Sequence, residues 1–187
     1  IFDVGRIAGS VALFSTSQPR AFINAQNNTF SAAGDDRHRG VEANISGIAA
    51  HGLRVLGGVT YLDAEQQSTG DANTDGRRAI GVPRWQANLG GEYDLPFVPE
   101  LSFDARVLYT GASEFDAANT LRVDGWTRLD LGARYLLPVG SRLLTLRARV
   151  DNVTNENYWA SSGGYPGAGY LVVGTPRTFN LSAAMDF

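Results

Sequence analysis

The sequence predicts an all-β chain in which about eight antiparallel strands form a transmembrane β-barrel wall. Three observations carry that prediction. Apolar residues alternate with polar ones at period two through run after run, which places them on one face of a strand. Connections alternate between short and long, so the hairpins have tight turns at one end and long loops at the other. Aromatic residues gather in two bands, one near each strand end.

The elements follow in chain order. Residues 6–16 (RIAGSVALFST) read as strand, with either parity able to serve as the apolar face. In 40–47, Val41, Ala43 and Ile45 oppose Glu42, Asn44 and Ser46. In 53–63, Leu53, Val55, Val59 and Tyr61 share a face, and Leu56 and Leu62 intrude on the other. In 85–95, Trp85, Ala87, Leu89, Tyr93 and Leu95 oppose Gln86, Asn88, Glu92 and Asp94. In 101–110, Leu101, Phe103, Ala105, Val107 and Tyr109 oppose Ser102, Asp104 and Arg106. In 127–136, Leu129, Leu131, Ala133 and Tyr135 oppose Arg128, Asp130 and Arg134. In 143–152, Leu144, Leu146, Ala148 and Val150 oppose Thr145, Arg147, Arg149 and Asp151. In 178–187, Phe179, Leu181, Ala183, Met185 and Phe187 form the apolar face. No convincing amphipathic helix interrupts this pattern, and runs of about 8–12 residues suit a tilted crossing of a bilayer.

The short links are 49–52, 96–100 and 138–142; the long ones are 17–35, 64–82, 111–122 and 154–174, rich in Gly, Asn, Asp, Ser and Thr. Tyr61, Trp85, Tyr109 and Trp126 sit beside long loops. Tyr93, Phe97, Phe103, Tyr135 and Phe187 sit near short turns or the C-terminus. Period two alone leaves a soluble β-sandwich or lectin-like binding module open, with the apolar face turned to a core. Loop segregation and the aromatic bands favour lipid instead.

Composition excludes several classes. Across 187 residues, 16 basic against 19 acidic side chains give a net charge of −3, which leaves no basic surface for nucleic acid. With 0 Cys there is neither a disulfide framework nor a thiolate site. The 2 His, His38 and His51, fall at opposite ends of one predicted strand and cannot share a metal. No GxSxG, P-loop or HExxH pattern occurs. Asp104, Asp130 and Asp151 each lie near an Arg on the polar face, as in an ion-pair ladder and not an acid/base pair. The chain is therefore not expected to be an enzyme, nor to hold a metal or cofactor. No apolar run approaches the roughly 20 residues of a membrane helix. The opening IFDVGRIAGSVALF lacks Met and a basic signal region, so a piece of a longer chain is expected, with a mature N-terminus left by signal removal as the alternative.

Four segments, in order and correctly spaced, resemble the C-terminal barrel portion of TonB-dependent outer-membrane receptors of the siderophore type. They are GDDRHRGVEANISG (34–47), GVTYLDAE (58–65), VDNVTNENYWAS (150–161) and GTPRTFNLSAAMDF (174–187). Departures are His38 where Ser is usual and Asp36 where Glu is common. The resemblance implies a bacterial outer-membrane protein that imports a ferric siderophore. It implies a plug, absent from this chain, that couples to the TonB complex. The barrel would have about 22 strands, with these as its last third. The remaining strands would then lie in the same or another chain. Phe187 would be the terminal aromatic read by the barrel-assembly machinery. Self-closure of the eight strands, with a structural or adhesive role, remains the alternative. Siderophore, haem, cobalamin and sugar receptors share this barrel.

Residue by residue, Gly174 and Pro176 suit a strand returning from a loop, and Asn152, Asn155 and Asn157 suit turns. Arg37, Arg39 and Glu42 are candidates for a lumenal charge network. Aromatic and basic loop residues suit an anionic or catecholate-like ligand, which nominates Arg77, Arg78, Phe115, Tyr158, Trp159, Tyr165 and Tyr170. Loop-on-loop packing is the plainer role for the aromatics, and lipopolysaccharide phosphates are another partner for Arg77 and Arg78. The segment SSGGYPGAGY (161–170) reads as a flexible loop able to close over a ligand.

Overall fold

The computed structural model describes residues 2–3, 6–20, 22–24, 29–31, 34–165 and 168–185. Every predicted strand forms. They are β1 (Ile7–Pro19), β2 (Asp35–Ala50), β3 (Leu53–Gln67), β4 (Trp85–Asp94), β5 (Leu101–Thr110), β6 (Trp126–Val139), β7 (Arg142–Asp151) and β8 (Thr178–Met185). Each pairs antiparallel with its neighbours in sequence, and the short strand Phe2–Asp3 adds to β1, giving one nine-stranded meander. Positive φ at Gly52 (+72°) and Gly140 (+62°) makes two of the tight turns, where a Cβ would be strained.

β2 and β3 run further than the sequence pattern suggested. Their register continues past the apolar segment through Arg39↔Asp63, Arg37↔Glu65 and Asp35↔Gln67. Backbone pairing persists there while side chains turn from apolar to charged, so hydrophobic period two marks only the middle of the ladder. The long loops are also partly ordered. Ser113–Glu114 pairs with Arg122–Val123, and Trp159–Tyr165 pairs with Ala168–Val173. The segment 161–170, read from sequence as a flexible loop, is thus mostly a two-stranded ribbon.

The two faces of the sheet decide between lipid and core. Many apolar residues of the odd positions in β1 to β6 lie exposed: Leu13 is 78% accessible and Leu89 59%, and on β8 Leu181 reaches 85%. Among the described residues the largest fully buried side chains are Gln66, Asp130 and Asn152. Among the described residues the buried hydrophobics are Ala64, Ala79, Ala117 and Val123, three of them in the long connections. A soluble sandwich covers its apolar face with a second sheet; here the apolar parity of a single sheet lies uncovered while the opposite parity carries the ion pairs, the arrangement that lipid demands. The register settles the ambiguous β1, because Val11↔Ala43 and Leu13↔Val41 put its odd residues on the outer face. Gly40 is required on the inner face, where a Cβ would collide with the Phe14 ring.

One aromatic departs from its expected band. Trp126 shares the inner parity of Arg128 and Asp130, and its ring lies 4.3 Å from that of Tyr158. Tyr61 and Trp85 do sit together on the outer face, 4.9 Å apart. Among the described residues no backbone pairing joins β8 to β1 or to Phe2–Asp3, so the sheet does not close on itself. Free edges of this kind are costly in hydrocarbon. Phe187 lies outside the described residues.

Candidate functional site

The inner face carries two ion-pair clusters. Toward the short turns, Arg54 donates to both oxygens of Asp94 (2.8 Å each) and to Glu92 (2.6 Å). Arg134 reaches Glu92 (2.8 Å) and the Ser102 hydroxyl (3.0 Å). Toward the long loops, Arg149 touches Asp151 (2.7 Å), Asp104 (3.4 Å) and Asp130 (3.5 Å), and Arg128 donates to Asp130 (3.0 Å). The three aspartates singled out in the sequence therefore share one guanidinium. The expected Arg37–Arg39–Glu42 network does not assemble. Arg37 and Arg39 have the outer parity of Val41, Glu42 has the inner one, and Arg37 pairs with Glu65 instead.

Above the clusters the long loops interlock. Gln66, on the inner parity of β3, donates to the carbonyls of Arg78 (2.7 Å) and Ala117 (2.9 Å) and accepts from Arg20. Asn119, at φ +58°, accepts from the Arg78 amide (2.8 Å) and donates to the Arg78 carbonyl (3.1 Å). Gly81, at φ +72°, donates to the Glu114 carbonyl (2.8 Å) and lies so close to the Ser162 carbonyl that no Cβ fits. Ser113 and Ser162 share a hydroxyl contact of 3.2 Å. Four long connections thus meet in one cap. Gln66, Gly81 and Asn119 were not legible as members; inner parity beside Ala64 was the available signal for Gln66.

The last and longest loop is pinned at its base by Asn152. Its fully buried amide donates to the carbonyls of Glu156 (2.8 Å) and Thr175 (2.9 Å) and accepts from the Glu156 amide (2.8 Å). Its own backbone N–H donates to Asp130 (2.9 Å), at φ +54°. Nearby, the Tyr158 ring fills the space a Cβ on Gly174 would need. Two sequence motifs, VDNVTNENYWAS and GTPRTF, are therefore halves of one joint.

The candidate ligand residues are spread over the cap. Arg77 is exposed. The Arg78 side chain is 16% accessible and faces Glu114 at 3.6 Å. Burial, with Arg84 and Arg122 nearby, holds its pKa below the usual arginine value. The Phe115 ring packs over Gly169. Tyr158 is half-buried and its hydroxyl accepts from Arg128 (3.2 Å). Trp159 (44%) and Tyr170 (60%) are exposed. Tyr165 belongs to the ribbon by its backbone, and its side chain lies outside the description. Below the cap, the inner wall has a recess of about 250 Å³ whose lining includes Asn44, Thr60, Gln86, Asn88 and Thr110, uncharged hydrogen-bonding groups, beside Leu108 and the Trp126 indole. A smaller recess of about 80 Å³ shares Gln86, Thr110 and Trp126 and reaches Trp159. Among the described residues no three His, Asp or Glu side chains converge as a metal cage.

Comparison with known proteins agrees with this geometry. Residues 1–153 match the family described as TonB dependent receptor-like, beta-barrel. The ferrichrome receptor FcuA of Yersinia enterocolitica is 39% identical over 186 residues, covering 100% of this chain and 24% of that receptor. The ferrichrome outer membrane transporter/phage receptor of Escherichia coli K12 is 32% identical over 150 residues, 78% of this chain and 20% of that protein. The crystal structure of BauA, the ferric preacinetobactin receptor from Acinetobacter baumannii, superposes with a TM-score of 0.86 at 35% identity, over 99% of this chain and 28% of that one. The chain spans about a quarter of the length of the curated relatives it matches. An inside-out sheet is what such a barrel wall requires, and with the match over residues 1–153 the chain belongs to the TonB-dependent receptor β-barrel family of the outer membrane.

Proposed function

We propose that this chain supplies the last barrel strands and extracellular loops of a receptor that imports a ferric siderophore across the bacterial outer membrane. The family consists of transporter receptors and not enzymes. Energy would arrive from the TonB complex through a plug domain, and the barrel-assembly machinery would insert the strands. The observation that carries the reading is the uncharged recess beneath an interlocked loop cap, on the polar inner face of a lipid-facing sheet. Pockets that hold small ligands combine apolar surface with a few placed polar groups. The mix of amides, hydroxyls and Trp126 suits a ferric chelate of low net charge better than a polyanion. Relatives named for ferrichrome make ferrichrome the first ligand to try. Trp159, Tyr170, Arg77 and Tyr165 are the proposed outer contacts, with Tyr158, Phe115 and Arg78 holding the loops that present them.

The test is uptake of radiolabelled iron as ferrichrome by iron-starved cells, with and without the intact receptor and with and without TonB. Uptake requiring both is expected. Uptake indifferent to the receptor overturns the reading. Uptake of ferric citrate in preference to ferrichrome would overturn the low-charge assignment alone.

A further inference from the structure

The hairpin of β7 and β8 continues beyond the membrane. Past the Asn152 joint the chain rises as Trp159–Tyr165 and returns as Ala168–Val173, which leads through Gly174 and Pro176 into β8. The two arms pair with each other, Trp159 with Val173 nearest the barrel and Tyr165 with Ala168 at the far end. The Gly174 amide donates to the Tyr158 carbonyl (2.8 Å), which carries the pairing down toward Asp151 and Thr178. The ribbon therefore repeats the order of the strands beneath it. Trp159–Tyr165 stands on the β7 side and Ala168–Val173 on the β8 side.

The two arms differ in how they are held. The first is tied into the cap at Ser162, which meets the Ser113 hydroxyl and crowds Gly81. The second is an edge without the usual protection. All six of its residues, Ala-Gly-Tyr-Leu-Val-Val, are exposed, with Val173 72% accessible and Tyr170 60%. Edge strands are ordinarily blunted by a charge, a Pro or a bulge. This one has no charged residue and no Pro, and the irregularity of the ribbon, between Trp159 and Ser161, falls on the other arm. Val and Tyr favour the extended state, and the Tyr170 ring covers Gly163 opposite it, which stiffens the ribbon at its weakest residue. Among the described residues no backbone group of 168–173 bonds outside the ribbon. In an antiparallel pair every second residue points its N–H and C=O away from the partner, so a row of donors and acceptors stands open along this edge.

The open edge lies on the same side as that of β8, which also lacks a partner there among the described residues. Hydrocarbon requires the β8 edge to be paired. In a closed antiparallel barrel the neighbour of the last strand is the first. β8 runs from Thr178 at the loop end to Met185 at the short-turn end, so the first strand runs outward and opens into the first extracellular loop at the level of the ribbon. The chain spans about a quarter of the length of its curated relatives, which leaves that loop to the rest of the receptor.

We propose that the free edge of Ala168–Val173 is paired, strand to strand, by an extended segment of the receptor's first extracellular loop, so that the loop cap continues across the seam of the barrel. An extended segment matches the open backbone groups one for one; a helix or an irregular loop leaves them unpaired. The proposal rests on the reading of these strands as the end of a larger closed barrel and not on the identity of the imported chelate.

The experiment is residue-resolved amide exchange of the intact receptor in detergent, beside a variant whose first extracellular loop is replaced by a short Gly-Ser turn. An arm paired on one side protects alternate amides, and an arm paired on both sides protects every amide. In the wild type all the amides of 169–173 should be protected. In the loop variant alternate ones should exchange about 100-fold faster, the equivalent of about three net hydrogen bonds, with the others unchanged. Photo-crosslinking in cells, with p-benzoylphenylalanine in place of Val172, supplies a second readout that needs no loop variant. The adduct should form within one receptor molecule and map to the first loop. Alternating protection in the wild type, or an adduct to any other part of the receptor, overturns the proposal. An adduct to a second receptor copy or to a different polypeptide overturns the loop as the occupant. No chelate is added in either measurement, so failure of ferrichrome uptake and failure of this proposal are separately visible.

Discussion

Replacing Asn152 by Ala removes the pin at the base of the longest loop. The side chain is fully buried and makes three hydrogen bonds, two to carbonyls and one from an amide. At about 1 kcal/mol net for each, their loss costs about 3 kcal/mol. Ala at φ +54° adds about 1 kcal/mol of backbone strain, since Asn tolerates the left-handed region better. Asn152→Gly separates the two contributions: it loses the bonds and keeps the conformation, so it should cost about 3 kcal/mol. The assay is amide hydrogen exchange across residues 153–177. Local opening there should rise about 100-fold in the glycine variant, because about 1.4 kcal/mol is a factor of ten. The amides of β2 and β3, far from the joint, should be unchanged. Wild-type exchange in the glycine variant, with acceleration only in the alanine one, would show that φ alone mattered and that the bonds do not hold the loop.

Three other outcomes follow from the same structure. Leu146→Arg, at mid-span on the apolar face of β7, should cost about 2–4 kcal/mol of folding free energy in lipid vesicles, whereas Thr145→Arg beside it, on the polar face, should cost far less; a larger penalty at Thr145 would mean the faces are reversed. Gly81→Ala should cost about 2–4 kcal/mol of loop stability through a left-handed φ and overlap with the Ser162 carbonyl, read as faster exchange in the Trp159–Val173 ribbon with the strands intact. Asp116 accepts from the Leu121 amide (2.6 Å) and the Thr120 hydroxyl (3.0 Å), and these bonds, acting against partial burial, lower its pKa. Its contribution is therefore present above the unfolded value of about 3.9 and is lost as pH falls through the lower folded value. Pepsin cleavage within 111–125 should rise between pH 4 and 2, and Asp116→Asn should flatten that step.

Strands were legible because period two and the lipid requirement say the same thing: β5 and β7 alternate almost without fault. β1 was not assignable alone, since Ala8, Ala12 and Phe14 compete with Val11 and Leu13; only pairing with β2 chose a face. Trp126 misled because its nearness to a loop suggested an interfacial ring, while its parity with Arg128 placed it inside. The cap was the least legible part. Its joints, such as Gln66 to Ala117 and Gly81 to Ser162, join residues far apart in sequence through backbone atoms, and backbone acceptors leave no mark on residue choice.

The joints of the cap have a consequence for how this surface can change. Gly81, Ser113, Ser162, Asn119 and Gln66 tie separate loops, so a longer or shorter loop at any of them must be answered in another. The tip around Gly70 is different: a Cβ there would meet no atom within 4 Å, and Asp71, Asn73 and Thr74 bond only within the tip. Insertions, epitope tags and drift in sequence are accommodated there without disturbing the rest. Transplanting this surface would require moving the cap as a block, whereas labelling it would require altering only that tip.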